Sequence, residues 1–228
     1  MKIEAPTKII PAFNNLKTNA FDIVVMEGGR GGAKSEALAA LGILESFIDD
    51  GVILCCREIQ KSIADSLYAT IVSTIYKYEL QSYFKIIQGE ITNNLTGSRF
   101  IFAGLKSNIT SIKSINKLRV VLTDEAENIT DNSWSYLRPT PRYGQVRFYV
   151  VFNPRFEHDA TWQQFIVNKD DRTLHITINW HDNPWFPEEL REEMEYDKRR
   201  DPDKYAHVWL GEYARNGEAR VFKNWKID

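Results

Sequence analysis

Residues 26–38, MEGGRGGAKSEAL, are the stretch that decides the expected fold. The apolar run FDIVVME (21–27) leads into four glycines, and a Lys-Ser pair then opens a segment with helical periodicity. A strand, a glycine-rich turn and a helix in this order are typical of a phosphate-binding loop. Glycines let backbone N–H groups converge on phosphate oxygens, and the helix N-terminus adds partial positive charge.

The candidate nucleotide-binding residues of this loop are Gly28, Gly29, Arg30, Gly31, Gly32, Ala33, Lys34 and Ser35. Ala33 occupies a position that is usually glycine, and its methyl group is tolerable at the first helical turn if the residue keeps a negative φ. Lys34 would reach the β- and γ-phosphates, and Ser35 would hold Mg²⁺. Arg30 would contact phosphate oxygens, or it is a solvated loop arginine. Taken alone, the stretch is also compatible with a glycine-rich turn followed by an incidental Lys-Ser pair.

Two further polar motifs follow apolar runs. LRVVLTDE (118–125) ends in Asp124 and Glu125, of which the first would bind the metal and the second would polarise the attacking water. VRFYVVFNP (146–154) ends near Asn153, which would sense the γ-phosphate or simply begin a turn. The carboxyl ends of parallel strands share one edge of a sheet, so these motifs are predicted to meet the loop there. By itself the Asp-Glu pair could be a solvated strand end.

Alternating apolar runs and helix-period segments predict an α/β fold, a P-loop NTPase of the ASCE/RecA-like type with a mostly parallel central sheet flanked by helices. Residues 1–180 are expected to form this core, with a hairpin insertion at about 83–103. Residues 181–228 are expected to form a helical linker subdomain. The predicted strands are 21–27, 51–56, 118–125, 146–154 and 173–179. The predicted helices are 34–48, 59–75, 131–137, 161–167 and a charged stretch after 187.

Composition narrows the function classes. The net charge of −2 gives no global electrostatic attraction to nucleic acid, although a local basic groove is compatible with it. No run of about 18 apolar residues occurs, so no membrane-spanning segment is predicted. Cys55 and Cys56 are adjacent on a predicted strand, so they would point to opposite faces as buried thiols rather than form a disulfide.

The combination of GGRGGAKS, VVLTDEAENIT and VVFNP resembles the ATPase domain of the large terminase subunit of tailed double-stranded DNA phages. In that family the loop commonly contains an arginine and accepts alanine where Ala33 stands. The similarity extends from about Phe13 to Phe222, and its less specific part includes Trp134, Leu137, Thr140 and Arg142.

The resemblance implies ATP hydrolysis with Mg²⁺ that drives double-stranded DNA into a procapsid. Lys34, Ser35 and Arg30 match nucleotide-contacting positions, Asp124 the metal position and Glu125 the catalytic carboxylate. Asn153 matches the coupling-motif position less closely. The implied partners are the portal, a small terminase subunit and further copies in a ring, at work in the host cell cytoplasm and without a membrane.

Two family features are not placed in this sequence. The trans-acting arginine has no clear motif, and most of the candidate arginines are expected at the surface: Arg57, Arg99, Arg119, Arg138 and Arg142. The nuclease domain of full-length family members is not expected in this chain, whose last residues, GEYARNGEARVFKNW (211–225), resemble the connecting segment.

Two alternative functions are compatible with the loop. One is a P-loop kinase or other NTPase outside packaging, and the other is a nucleotide-dependent assembly module with little turnover. The Asp124-Glu125 pair favours hydrolysis, because a kinase transfers phosphate to an acceptor other than water.

Overall fold

The apolar runs form the strands of one sheet in the computed structural model, which describes residues 3–59, 67–112, 114–139 and 146–214. The strands of this described part are β1 (Ile23–Glu27), β2 (Val52–Arg57), β3 (Phe84–Ile87), β4 (Glu90–Asn93), β5 (Arg99–Gly104), β6 (Leu118–Thr123), β7 (Arg147–Phe152) and β8 (Thr173–Thr177). Their order across the sheet is β3-β4-β5-β2-β6-β7-β1-β8. The pairs β3–β4 and β4–β5 are antiparallel, and every pair from β5 across to β8 is parallel. The predicted mostly parallel sheet is confirmed.

Helices cover both faces of the sheet. Their bounds in the described residues are α1 (Ile10–Thr18), α2 (Lys34–Ser46), α3 (Leu67–Lys77), α4 (Leu105–Ile112), α5 (Asp131–Leu137), α6 (Ala160–Trp162), α7 (Glu188–Arg200) and α8 (Pro202–Leu210). A π-helical turn, Gln163–Val167, continues α6. The helices α1, α2 and α3 pack on one face and α4, α5 and α6 on the other, so β1 is buried along its whole length. No helix in these ranges has the length and apolar character needed to cross a bilayer.

The two faces divide the side chains of each central strand. Val24 and Met26 of β1 lie in one core, and Val25 lies in the other. Cys55 and Cys56 separate in the same way, as their adjacency on a strand predicts, and burial raises the pKa of both thiols. These cores hold the sheet rigidly, so that the residues beyond its carboxyl edge have fixed positions.

The strand register brings the three polar motifs together. Because β7 lies between β1 and β6, the residues that follow these strands leave the sheet side by side. Glu27 pairs with Phe152, so the glycine loop begins beside Asn153. Thr123 pairs with Val150, so Asp124 emerges next to the same end of β7.

Two boundaries differ from the prediction. The segment predicted as a hairpin insertion forms three strands with antiparallel β3–β4 and β4–β5 pairs, and its last strand, β5, also pairs in parallel with β2 over six residues and so belongs to the central sheet. The helix predicted from Ile59 does not include that residue, whose side chain is exposed, and the described part of α3 begins at Leu67. Several predicted features lie outside the described residues: Ile63 of that helix, Thr140, Arg142 and the segment 215–228.

Candidate nucleotide site

Lys34 is the first residue of α2, and its side chain turns back over the glycine loop. Its Nζ donates to the Gly28 carbonyl at 2.9 Å and to the Gly29 carbonyl at 2.6 Å. Burial lowers the pKa of Lys34 to about 8, an effect that the charges of Glu27, Glu127 and other nearby carboxylates partly oppose. The ammonium group is therefore mostly charged at neutral pH, as an anion-binding lysine requires.

Ser35 and Asp124 face each other across the site. The Ser35 hydroxyl donates to Asp124 Oδ1 at 3.3 Å, although the two residues belong to α2 and to the end of β6. The hydroxyl and carboxylate oxygens are hard donors of the kind Mg²⁺ prefers. Two residues that the sequence predicts as metal ligands are thus within reach of one ion.

Arg57 is the site residue that the sequence analysis misplaced. It ends β2, the neighbour of β6, and is only 5% exposed instead of lying at the surface. One guanidinium nitrogen, NH2, contacts Asp124, and the other, NH1, lies 3.1 Å from Glu125 Oε1. Arg57 therefore neutralises both carboxylates of the Asp-Glu pair. A signal existed in the sequence, since an arginine that ends a central strand emerges at the carboxyl edge.

Glu125 combines an accessible side chain with an unusual backbone. Its side chain is 51% exposed, whereas Asp124 beside it is buried. Its backbone is left-handed, with φ +52°. Non-glycine residues pay about 1 kcal/mol for that region, and such strain concentrates at functional sites.

The negative φ that would make the methyl group of Ala33 tolerable is not adopted. Ala33 precedes the first helical residue of α2 and is left-handed, with φ +60° and ψ +28°. The turn into the helix requires this conformation, which explains why glycine is the usual residue here. Ala33 therefore has the backbone shape of the general motif and pays a conformational cost for its methyl group.

The glycines of the loop are required by close packing. A Cβ at Gly29 would lie 2.2 Å from the Trp209 carbonyl oxygen, and one at Gly31 would lie 2.2 Å from the Phe186 ring. Asn179 accepts from the Gly29 N–H at 2.6 Å. Gly28 and Gly29 are thus packed beneath the segment after β8 and are absent from the residues that line the cavity described next.

A cavity of about 850 Å³ opens in front of the loop. Pockets of this size are typical for nucleotides and other small ligands. Its lining includes residues of the predicted motifs and two others, Arg57 and Glu127: Arg30, Gly31, Gly32, Ala33, Lys34, Ser35, Arg57, Asp124, Glu125, Glu127 and Asn153. Larger side chains line it as well, among them Phe13, Lys77, Tyr78, Trp185 and Leu190. All predicted site residues except Gly28 and Gly29 therefore face one space.

Glu127 is a second residue that the motifs did not single out. Burial raises the pKa of Glu127 to about 7, while backbone N–H groups, including that of Asn153, oppose the rise. Its Oε2 is buried and has no hydrogen-bond partner among the described residues. Sequence reasoning missed it because a glutamate after a strand end is usually solvated.

A family model described as phage terminase large subunit matches residues 20–212. The large terminase subunit of Bacillus phage SPP1 is 26% identical over 223 residues, which cover 90% of this chain and 51% of that protein. This chain therefore spans about half the length of that relative.

Solved structures share the fold. The large terminase of a thermophilic bacteriophage superposes with a TM-score of 0.78 at 11% identity, over 92% of this chain and 54% of that one. Its complex with ATP-gamma-S gives a TM-score of 0.72. The large terminase ATPase domain of Thermus phage P74-26 gives 0.65 at 15% identity, over 84% and 88% of the two chains.

Proposed function

This chain belongs to the phage terminase large subunit family, and we propose that it binds ATP with Mg²⁺ and hydrolyses it as the ATPase domain of a DNA-packaging motor. The observation that carries the proposal is the meeting of Lys34, Ser35, Asp124 and Glu125 in one cavity at the carboxyl edge of the sheet. These four side chains supply a cation for phosphate, two oxygen ligands for a metal ion and a carboxylate for water.

The loop and Lys34 would bind the phosphates of ATP. Lys34 Nζ now rests on loop carbonyls, and a phosphate is a stronger acceptor for a charged ammonium group than a carbonyl is. The N-terminus of α2 adds its partial positive charge at the same point. The exposed side chain of Arg30 lines this cavity as well and would contact phosphate oxygens. Larger side chains that line the same cavity, among them Tyr78 and Trp185, would contact the sugar and base.

Ser35 and Asp124 would hold Mg²⁺, since both present oxygen donors and their oxygens lie 3.3 Å apart. The ion, when bound, neutralises negative charge on the phosphates. Asp124 also contacts Arg57, so its carboxylate is held in place on one side and presented to Ser35 on the other.

Glu125 would activate the attacking water. Its carboxylate lines the cavity and is accessible, which a general base needs in order to reach a water molecule. The contact with Arg57 at 3.1 Å restrains its orientation, and the side chain of Asn153 lies on the adjacent strand end to orient water or sense the γ-phosphate. The water proton would pass to Glu125 as the oxygen attacks the γ-phosphorus, and the bond from the γ-phosphorus to the bridging oxygen would break to release ADP and phosphate.

The wider role follows from relatives. A similar large terminase has been solved with ATP-gamma-S, and a similar chain occurs in the bacteriophage Phi-29 genome packaging motor assembly. We extend to this chain the partners that the family resemblance implies: double-stranded DNA, the portal of a procapsid, a small terminase subunit and a ring of copies. Residues 181–228 would link this domain to a nuclease domain.

The direct test measures free phosphate released from ATP by the wild-type chain with Mg²⁺. We expect turnover that a chelator abolishes and that Lys34→Ala abolishes together with ATP binding. Transfer of phosphate to an acceptor molecule would favour a kinase. Tight ATP binding without product would favour the assembly module. Stimulation of turnover by double-stranded DNA and procapsids tests the packaging role separately.

A further inference from the structure

A second, smaller cavity lies behind the nucleotide cavity. It has a volume of about 180 Å³ and is lined by Arg30, Glu127, Asn153, Arg155, His207 and Val208. Arg30, Glu127 and Asn153 line the larger cavity too, so these three side chains form a common wall. The wall contains Arg30 and Asn153, which the proposed function assigns to the phosphate oxygens and to the γ-phosphate. An anion cleaved from ATP would therefore be released directly beside this second space.

The chemistry of the second cavity suits a small anion. Arg30 and Arg155 place two guanidinium groups around it, and Asn153 adds an amide. Guanidinium groups bind phosphate by paired, charge-assisted hydrogen bonds. The polar contacts of the Arg155 side chain in the described residues are long, 3.4 Å to Asn128 Oδ1 and 4.0 Å to Asp159 Oδ2, and its guanidinium lies over the Phe156 ring, 5.1 Å from the centroid. These weak contacts leave it able to bind a stronger acceptor.

His207 and Glu127 complete the lining. His207 Nδ1 lies 2.7 Å from the Glu212 carbonyl, which can only accept, so Nδ1 carries the proton and Nε2 is the other polar atom of the ring. Glu127 is the one acidic lining residue, and its charge would repel an anion. Burial raises the pKa of Glu127 to about 7, which reduces that repulsion near neutral pH and supplies a carboxyl donor.

The volume limits the ligand. The second cavity, at about 180 Å³, is much smaller than the nucleotide cavity, at about 850 Å³, and suits a phosphate ion with some water. We propose that this second cavity is a binding site for inorganic phosphate, which holds the ion after its cleavage from ATP and before its release. The assignment to product phosphate rests on the proposed function, whereas the anion site itself does not.

The test compares Arg155→Gln with Arg172→Gln. Arg155 lines the second cavity but not the first. Arg172 serves as the matched control, since it is an exposed arginine that pairs with Asp22. The two residues immediately precede β8 and β1, at the edge of the sheet opposite the cavity. Binding of inorganic phosphate is titrated in the presence of saturating ADP. We expect Arg155→Gln to weaken phosphate binding by about tenfold, the effect of losing one charge-assisted hydrogen-bonding group, with unchanged ADP affinity.

Lys34→Ala separates the two possible phosphate positions in the same titration. If phosphate affinity falls in Lys34→Ala and is unchanged in Arg155→Gln, phosphate binds only at the γ-position and the inference is overturned. Equal loss in Arg155→Gln and Arg172→Gln would also overturn it, because the effect would then be one of general charge.

A single-turnover experiment distinguishes product phosphate from phosphate taken up from solution. Bond cleavage is followed by acid quench and free phosphate by a fluorescent sensor. In the wild type we expect release to lag cleavage, and in Arg155→Gln the lag should shorten by about tenfold. Release that keeps pace with cleavage in the wild type would contradict the product assignment. Absence of any cleavage would contradict the proposed function, while the titration would still decide the anion site.

Discussion

At the scale of single residues, Ala33 and Glu125 share a left-handed backbone next to the predicted chemistry. Ala33 immediately precedes α2, and Glu125 is the second residue after β6. Glycine would satisfy either position without strain, so a side chain is retained at a conformational cost. At Glu125 the side chain supplies the carboxylate. At Ala33 nothing in the structure explains the methyl group.

Ala33→Gly is predicted to stabilise the protein. Relief of the left-handed strain exceeds the cost of the added flexibility of the unfolded chain, so the free energy of unfolding should rise by roughly 0.5 kcal/mol. Denaturant titration measures it. Gly31→Ala is predicted to lower the free energy of unfolding, because the φ of Gly31 is +80° and an added Cβ would collide with Phe186. A loss of stability in Ala33→Gly would show that the left-handed conformation is not maintained in solution.

Glu127 is predicted to make stability depend on pH. Its folded pKa of about 7 lies above the ordinary value of 4.5, so between these values the folded protein holds a proton that the unfolded chain has lost. The free energy of unfolding therefore falls as pH rises from 4.5 to 7. Glu127→Gln removes this loss and should gain roughly 2 kcal/mol relative to the wild type between pH 5 and pH 8. Chemical denaturation at several pH values measures this dependence, and Glu189→Gln, at an exposed glutamate, is the control. If the free energy of unfolding changed with pH in the same way in both variants, the prediction for Glu127 would be wrong.

At the scale of elements, one buried carboxylate fastens α2 to the sheet. Glu45 is fully buried and lies 2.9 Å from Arg119 NH1 and 2.5 Å from Arg147 NH1. The Tyr149 hydroxyl donates to Glu45 Oε1 at 2.6 Å, and burial raises the pKa of Tyr149, which therefore stays a neutral donor. The network ties the C-terminal part of α2 to β6 and β7. It thereby fixes the other end of the same helix, where Lys34 and Ser35 lie.

Glu45→Gln is predicted to be strongly destabilising. Two arginines would keep their charge at a partly buried position without the compensating carboxylate, at a cost of about 3 kcal/mol. Chemical denaturation checks this. Asp50→Asn provides the control, because its pair with Lys117 is exposed and should contribute nothing measurable. Equal stability of the two variants would mean that the network does not hold α2.

The elements show which features a sequence predicts and which it does not. The bounds of α5 were predicted from local sequence signals. The central residues of β1, β6 and β7 were predicted from continuous apolar runs, because both faces of a central strand are buried. The edge at which Asp124, Asn153 and the loop meet followed from parallel pairing. The burial of Arg57 depends on β2 lying beside β6, a long-range pairing that no local pattern contains. The φ of Ala33 depends on the closure of the turn and not on the helix propensity of alanine.

At the scale of the whole molecule, the segment after β8 closes over the glycine loop. Trp209, Phe186 and Met194 form a third apolar cluster, separate from the two cores of the sheet. The Arg30 N–H donates to the Val208 carbonyl at 2.8 Å, and Asn183 Nδ2 donates to the Gly31 carbonyl at 2.7 Å. The loop is therefore contacted by the sheet beneath it and by helical chain above it. A change in the loop on nucleotide binding would act directly on this helical segment.

The central claim, that Glu125 activates water for ATP hydrolysis at this site, is tested most directly by measuring ATP binding and phosphate release in Glu125→Gln. We expect turnover to fall by about 10²- to 10⁴-fold, the usual contribution of a general base, with ATP affinity retained. The exposed carboxylate of Glu157 provides the control, and Glu157→Gln should retain both properties. Wild-type turnover in Glu125→Gln would contradict the account.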